Sequence, residues 1–285
     1  MRDLRAGTVA GVTAVSLVAG IIAAGGLSAA ASVPTSTAST TVGRKQVVGS
    51  AAGGSSACTV ARIAFVRDFP RRARSDIYGI NPNGTELTQL THAGDAWSRA
   101  WSPDGARIAY EDWSDGDAEI YVMNPDGSDV VQLTDNTFED STPAWSPDGE
   151  WIAFARSDDE FTDFDLFDIH VMRADGSEVT QLTDLEAQEW TPTWSPDSSR
   201  IAFYRDDEIV VMNADGTDAA TLEINRPANS PDWAPAGERI FYSGDHERGS
   251  ENHTINADGT GHKRLTRRSG EDQSPSVSPS GRLVY

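Results

Sequence analysis

From Arg62 to Tyr285 the chain alternates short apolar runs with polar turns. Arg62-Ile63-Ala64-Phe65 opens the series. Arg107-Ile108-Ala109-Tyr110, Trp151-Ile152-Ala153-Phe154, Arg200-Ile201-Ala202-Phe203, Arg239-Ile240-Phe241-Tyr242 and Arg282-Leu283-Val284-Tyr285 repeat it. Four mostly apolar residues between turn signals predict a strand buried on both faces. Ahead of such runs stands a turn phrase: Trp101-Ser102-Pro103-Asp104-Gly105, Trp145-Ser146-Pro147-Asp148-Gly149 and Trp194-Ser195-Pro196-Asp197-Ser198. Weaker copies are Trp233-Ala234-Pro235-Ala236-Gly237 and Val277-Ser278-Pro279-Ser280-Gly281. Proline presets φ at the second turn position and glycine accepts the left-handed conformation, so the phrase closes a hairpin. Behind the buried run comes an acidic loop and a third strand, as in Ile120-Tyr121-Val122-Met123. Asp126-Gly127 then turns the chain into a more polar outer strand, Val131-Gln132-Leu133-Thr134.

The turn phrase recurs at steps of 44, 49, 39 and 44 residues. A period of about 40–45 with four strands per unit is that of a propeller blade. Four short strands cannot bury both their faces alone, so the units must stack radially. The expected fold is therefore an all-β β-propeller of four-stranded blades. Three strands at the start, four complete units and two strands at the end total 21. Five blades need 20 and six need 24, so the count favours five, with the C-terminal strand near Val277 pairing beside Arg62-Ile63-Ala64-Phe65 to join the ends. The alternative is six blades with an incomplete last one.

The wording W-S-P-D-G-x-x-I-A-F, I-Y-V-M-N-x-D-G and Q-L-T closely resembles the WD40-like PD40 repeat of the TolB-like propeller family, which also occurs in propellers attached to prolyl-oligopeptidase-type peptidases. The resemblance covers about 220 residues. It implies a binding module with its ligand site at one end of the central channel. TolB carries an α/β domain before its propeller, and residues 33–61 are too few to supply one.

The domain organisation reads as 1–31 signal peptide, 32–61 linker and 62–285 propeller. Arg2 and Arg5 precede an uncharged run from Ala6 to Ser32 that ends in Ala29-Ala30-Ala31, the n-region, h-region and small-residue end of a secretory signal. An uncleaved membrane anchor is the alternative. Ser, Thr, Gly and Ala dominate the linker. The chain is expected to be secreted, periplasmic or envelope-associated, with no membrane span after cleavage.

Formal net charge is −21 over 285 residues. The first 61 contribute +3 and the repeats −24. Such acidity disfavours nucleic acid and suits a basic protein or peptide ligand. Cys58 is the lone cysteine, and the five histidines form no metal motif. No G-x-S-x-G elbow, Walker motif or dinucleotide fingerprint occurs, so no catalytic residues are assigned and a non-enzymatic role is expected. A hydrolase or lyase using channel carboxylates, with Asp140 and Glu189 to be tested, is the alternative. The N-x-D-G-x-D turns faintly resemble part of a calcium loop, but the bidentate Glu is out of register and Asp-Gly is also the preferred hairpin dipeptide. No cofactor or metal site is assigned.

Two groups of residues are candidates for ligand binding. By analogy between repeats, the segments before each first strand lie at the channel mouth and supply Trp97, Arg99, Asp140, Glu189, Trp190 and Asp272. The two tryptophans serve either a ligand funnel or the packing of blade on blade. The second group is the insertion behind the 49-residue step, with Asp158, Asp159, Glu160, Asp163 and Asp165 interleaved with phenylalanines. It reads as a solvated loop, or as a docking or cation loop.

Overall fold

A computed structural model describes residues 62–69, 74–114, 116–157, 166–246, 249–267, 272–277 and 283–284. These form 21 strands. Blade one holds β1 (Ile63–Phe69), β2 (Arg74–Ile80) and β3 (Thr88–Gln89). Blade two holds β4 (Ala96–Trp101), β5 (Ile108–Asp112), β6 (Glu119–Met123) and β7 (Val131–Gln132). Blade three holds β8 (Asp140–Trp145), β9 (Trp151–Ser157), β10 (Phe167–Arg173) and β11 (Thr180–Gln181). Blade four holds β12 (Glu189–Trp194), β13 (Arg200–Arg205), β14 (Glu208–Asn213) and β15 (Ala220–Thr221). Blade five holds β16 (Ala228–Trp233), β17 (Arg239–His246), β18 (Gly249–Asn256) and β19 (Lys263–Arg264). All pair antiparallel in chain order. The fold is a β-propeller of five blades, as the repeat predicts. The signal peptide and linker assigned to residues 1–61 lie outside the described residues.

Radial packing explains the repeated wording. Ile108, Ile152, Ile201 and Ile240 are each 0% exposed. Each apolar cluster joins neighbouring blades; Val66 and Ile77 of blade one, for instance, pack with Trp101 and Ile108 of blade two. First strands touch first strands around the centre: β4 meets β8, β8 meets β12, and β12 meets β16. Trp194 Nε1 donates to the Ala144 carbonyl and Trp233 Nε1 to that of Thr193, so each of these indoles reaches the previous first strand.

The turns carry their own reasons. In the first hairpin Ser102 Oγ donates to Asp104 Oδ1 at 2.7 Å and accepts from the Arg107 amide at 2.9 Å. Ser146–Asp148 and Ser195–Asp197 repeat the arrangement. In the second hairpin the glycine does more than bend the chain. A Cβ on Gly127 or Gly216, both at positive φ, would come within 2.8 Å of the Leu90 or Leu182 carbonyl of the preceding blade. These turns are therefore blade-to-blade contacts.

One expectation is corrected. The strand near Val277 does not pair beside β1 among the described residues. β20 (Ser276–Val277) pairs with β21 (Leu283–Val284) and packs on β16. The cause is local: Asp232 of β16, fully buried and with its pKa raised by that burial, accepts the Val277 amide at 3.0 Å. β20 thus follows β16 as each first strand follows the one before.

Candidate functional site

The first strands of blades two to five begin with two residues, then a bulge. Ser98, Thr142, Thr191 and Ser230 occupy the bulge with φ between 25° and 56°, and Ser274, ahead of β20, has a φ of 53°. In blades two to five the pairing with the second strand shifts there. Proline follows in Pro143, Pro192, Pro231 and Pro275, whereas blade two has Arg99. The bulges lie side by side: the Thr191 amide donates to Thr142 Oγ1 at 3.4 Å.

Asp140 and Glu189 open β8 and β12, and both are 0% exposed. Arg156 Nε and Nη2 donate to the two Asp140 oxygens at 2.6 and 2.7 Å, and Arg205 Nε donates to Glu189 at 2.6 Å. Each guanidinium also lies over a ring of its own strand, Phe154 or Phe203. The far side of each carboxylate meets the third strand of the preceding blade. Asn136 donates its side-chain amide to Asp140 at 2.9 Å and its backbone amide to Glu119 at 2.6 Å. At the next junction the Thr183 hydroxyl lies between Asp168 and Glu189 and accepts the Ile169 amide. One hydroxyl has one proton to give, so two ionised carboxylates cannot both be served. Burial, with the Asp140 charge adding to it, pushes Glu119 up to about 7. Burial also raises Asp168 and Glu189. These groups brace the junctions and present no carboxylate surface to solvent.

The other four mouth candidates divide. Arg99 is 3% exposed, its Nε 3.4 Å from the Ala64 carbonyl of β1, and burial lowers its pKa to about 9. Trp97 is half-buried against the cluster between blades one and two. Trp190, also half-buried, lies on Phe167 with ring centroids 3.8 Å apart. Both tryptophans thus take part in packing and keep part of their surface exposed. Half-buried Asp272 precedes β20, its amide donating to the Ser250 carbonyl at 2.9 Å. The docking-loop residues Asp158, Asp159, Glu160, Asp163 and Asp165 lie outside the described residues.

The same end of the propeller exposes groups that the sequence did not single out. Trp113, after β5, is 36% exposed, and Leu185, before β12, is 52% exposed. Trp113 Nε1 donates to buried Glu111 at 2.6 Å, and Glu111 also accepts from the Thr142 amide at the neighbouring bulge. Burial raises Glu111. Around these stand exposed Asp135, Asp184, Glu186, Asp206, Asp207 and Glu208. A tryptophan directly after Glu111-Asp112, the acidic end of β5, was the legible signal.

Blade five gathers three histidines that look scattered in sequence. His253 Nε2 is 3.0 Å from His246 Nε2, and His253 Nδ1 is 3.0 Å from His262 Nε2. The rings stack on one another and on Tyr242, with Arg226 against His246. Burial, with the neighbouring charges, lowers His253 to about 4. His253 meets its two neighbours through different nitrogens, so one ion could not take all three rings. Among the described residues no group of three or more His, Cys, Asp or Glu is arranged to hold a metal. The Asp-Gly turns act as hairpins, with Asp126 Oδ1 accepting the Ser128 amide and hydroxyl.

The class is a propeller with a braced inner wall and an acidic, partly apolar end face. Residues 59–281 match the family profile PD40, TolB beta propeller domain, and the chain belongs to that family. No curated protein matches it. Among solved structures, TolB from Acinetobacter baumannii aligns with a TM-score of 0.65 at 19% identity, covering 79% of this chain and 57% of that one. A putative TolB from Agrobacterium tumefaciens gives 0.63 at 21%, covering 77% and 83%. An oligogalacturonate lyase in complex with manganese gives 0.61 at 15%, covering 77% and 65%. This chain thus spans little more than half the Acinetobacter protein. At these identities the likeness is one of fold.

Proposed function

We propose that this chain is a non-enzymatic binding module, secreted or held at the cell envelope, that receives a basic protein or peptide segment on the end face bearing Trp113 and Leu185. The observation that carries the reading is the placement of these two exposed apolar side chains among exposed carboxylates at the end where the first strands begin. An apolar anchor ringed by one sign of charge suits a partner of the opposite sign, with charge setting encounter and burial setting residence. The carboxylates that a hydrolase or lyase would draw on, Asp140 and Glu189, are buried and held by Arg156 and Arg205. The leader pattern supports export.

The test is calorimetric titration with a short Lys/Arg-rich peptide carrying two apolar residues, beside a charge-reversed copy, at low and high salt. The basic peptide should bind and weaken steeply with salt, while the acidic copy should not bind. Equal binding of both, or turnover of a glycan or peptide panel at enzyme-like rates, would overturn the reading.

A further inference from the structure

Blade five keeps a guanidinium where blades three and four keep an ion pair. In those two blades the first residue of the inner strand is the carboxylate, Asp140 or Glu189, and its cross-strand partner is the guanidinium, Arg156 or Arg205. The same two positions in blade five are Ala228 and Gly244. An arginine fills the space all the same. A Cβ on Gly244 would meet Cδ of Arg226 at 3.1 Å, so this side chain, from two residues ahead of β16, passes where the stems of Arg156 and Arg205 begin. Blade two, with Ala96 opposite Asp112, has no arginine at the position. The groups around Arg226 are donors and bases. Its Nη1 is 2.7 Å from His246 Nε2, and among the described residues it has no carboxylate partner. Burial, with the Arg226 charge adding to it, lowers His246 and His262. The Tyr242 hydroxyl, fully buried and within reach of the Arg226 charge, has no hydrogen-bond partner. The two described carboxylates that act on His246, Asp245 and Glu251, are engaged elsewhere: Asp245 by the Ser250 hydroxyl, Glu251 by Arg264 and Thr266.

We propose that Arg226, with the Tyr242 hydroxyl and the imidazoles of His246 and His262, binds the carboxylate of a small acidic ligand, which plays for Arg226 the part that Asp140 and Glu189 play for Arg156 and Arg205. Arg226 and His246 are half-buried and His262 is exposed, so a ligand reaches the cluster from solvent. The planar guanidinium suits a planar carboxylate, and the phenol and imidazole add donors. Binding is linked to protons. An anion beside His246 and His262 favours their charged forms, so the bound state holds more protons than the free one and affinity rises as pH falls. Arg264 stands on the same side of the balance as Arg226, while Asp245 and Glu251 oppose them both before and after binding. The site lies on blade five and does not rest on the function proposed for the Trp113 face.

The probes are sodium acetate and sodium glucuronate, added to the intact chain at constant ionic strength with chloride as the filler and followed through the histidine ring resonances. Both should shift His246 and His262 saturably. Tighter binding of glucuronate would assign the carboxylate to an acidic sugar, and equal affinity to a bare carboxylate, within the same site. Affinity should rise about tenfold between about pH 7.5 and 5.5 and fall about tenfold in Arg226→Gln. Ala228→Asp, which copies Asp140 into blade five, should raise the histidine pKa values by itself and stop the probes from binding. Arg226→Gln carries the test if that buried substitution does not fold. The absence of a saturable shift would overturn the proposal, as would binding that ignores Arg226→Gln. Affinity that is flat with pH would remove the imidazoles from the site and overturn it too. Inorganic phosphate binding as tightly as the carboxylates would overturn the assignment of the ligand.

Discussion

Blades three and five share one backbone plan and fill it with opposite chemistry. In blade three the first residue of the inner strand is Asp140, paired with Arg156 across the hairpin; the same two positions in blade five are Ala228 and Gly244. Blade five then fills the space beside Gly244 with aromatic nitrogen: a Cβ there would meet Arg226 and His253 at 3.1 Å. One blade is braced by a buried ion pair between carboxylate clusters, the other by stacked neutral imidazoles. The scaffold fixes where a brace is needed and leaves its chemistry open.

The largest expected effect would break blade three alone. Arg156→Ala strands Asp140 in a dry site and should cost about 3–5 kcal/mol in urea unfolding. Adding Asp140→Ala should restore most of that loss, because the uncompensated charge goes with it. Core truncations should not distinguish the blades. Ile152→Ala and Ile240→Ala should each cost about 2–5 kcal/mol, since both are fully buried between blades. A large inequality would undermine the repeat alignment.

pH separates the two regions by sign. Glu119, at the junction feeding blade three, keeps its proton when folded up to about 7 and releases it unfolded near its ordinary 4.5. Its contribution is present below that lower value and is lost as pH rises through 7. His253 refuses a proton when folded until about 4, whereas the unfolded imidazole accepts one near 6.5. Blade five therefore loses stability as pH falls from 6.5 toward 4. Unfolding midpoints across this range should show Glu119→Gln removing the loss at high pH and His253→Asn removing the loss at low pH. Matching slopes in both variants would contradict the assignment.

Smaller effects sharpen the view of the turns. Gly84 and Gly216 have nearly the same φ, +83° and +84°, but only Gly216 approaches a preceding blade. Gly216→Ala should cost about 1–3 kcal/mol more than Gly84→Ala by overpacking. Asp215→Ala, in an exposed turn, should leave the unfolding midpoint nearly unchanged.

Much of this was legible because the repeat encodes local rules. The turn phrase, the buried isoleucines and the Asp-Gly hairpins follow from residue type and spacing. Even the braces left a trace: Asp140 to Arg156 and Glu189 to Arg205 are both 16 residues apart, the span of one first hairpin. The acid near the start of the third strand and the threonine of Q-L-T keep a spacing of 15 in Asp76–Thr91, Asp168–Thr183 and Glu251–Thr266, where the hydroxyl bonds the carboxylate and accepts a third-strand amide. Burial was not legible. Asp140, Glu189 and Arg99 were read as mouth residues from their position in the repeat, yet side-chain direction placed them in the wall. The histidine stack escaped because His246, His253 and His262 meet only after three strands are laid in register.

The central claim is that buried carboxylates hold the propeller together while the exposed Trp113 and Leu185 face binds. The most direct test compares affinity and thermal midpoint for Leu185→Ser, Trp113→Ala and Asp140→Asn, using the Lys/Arg-rich peptide. The account predicts that Leu185→Ser and Trp113→Ala weaken binding about tenfold or more with little change in midpoint. Asp140→Asn should lower the midpoint and leave affinity nearly intact. The reverse pattern, with affinity lost at Asp140 and kept in the other two, would contradict it.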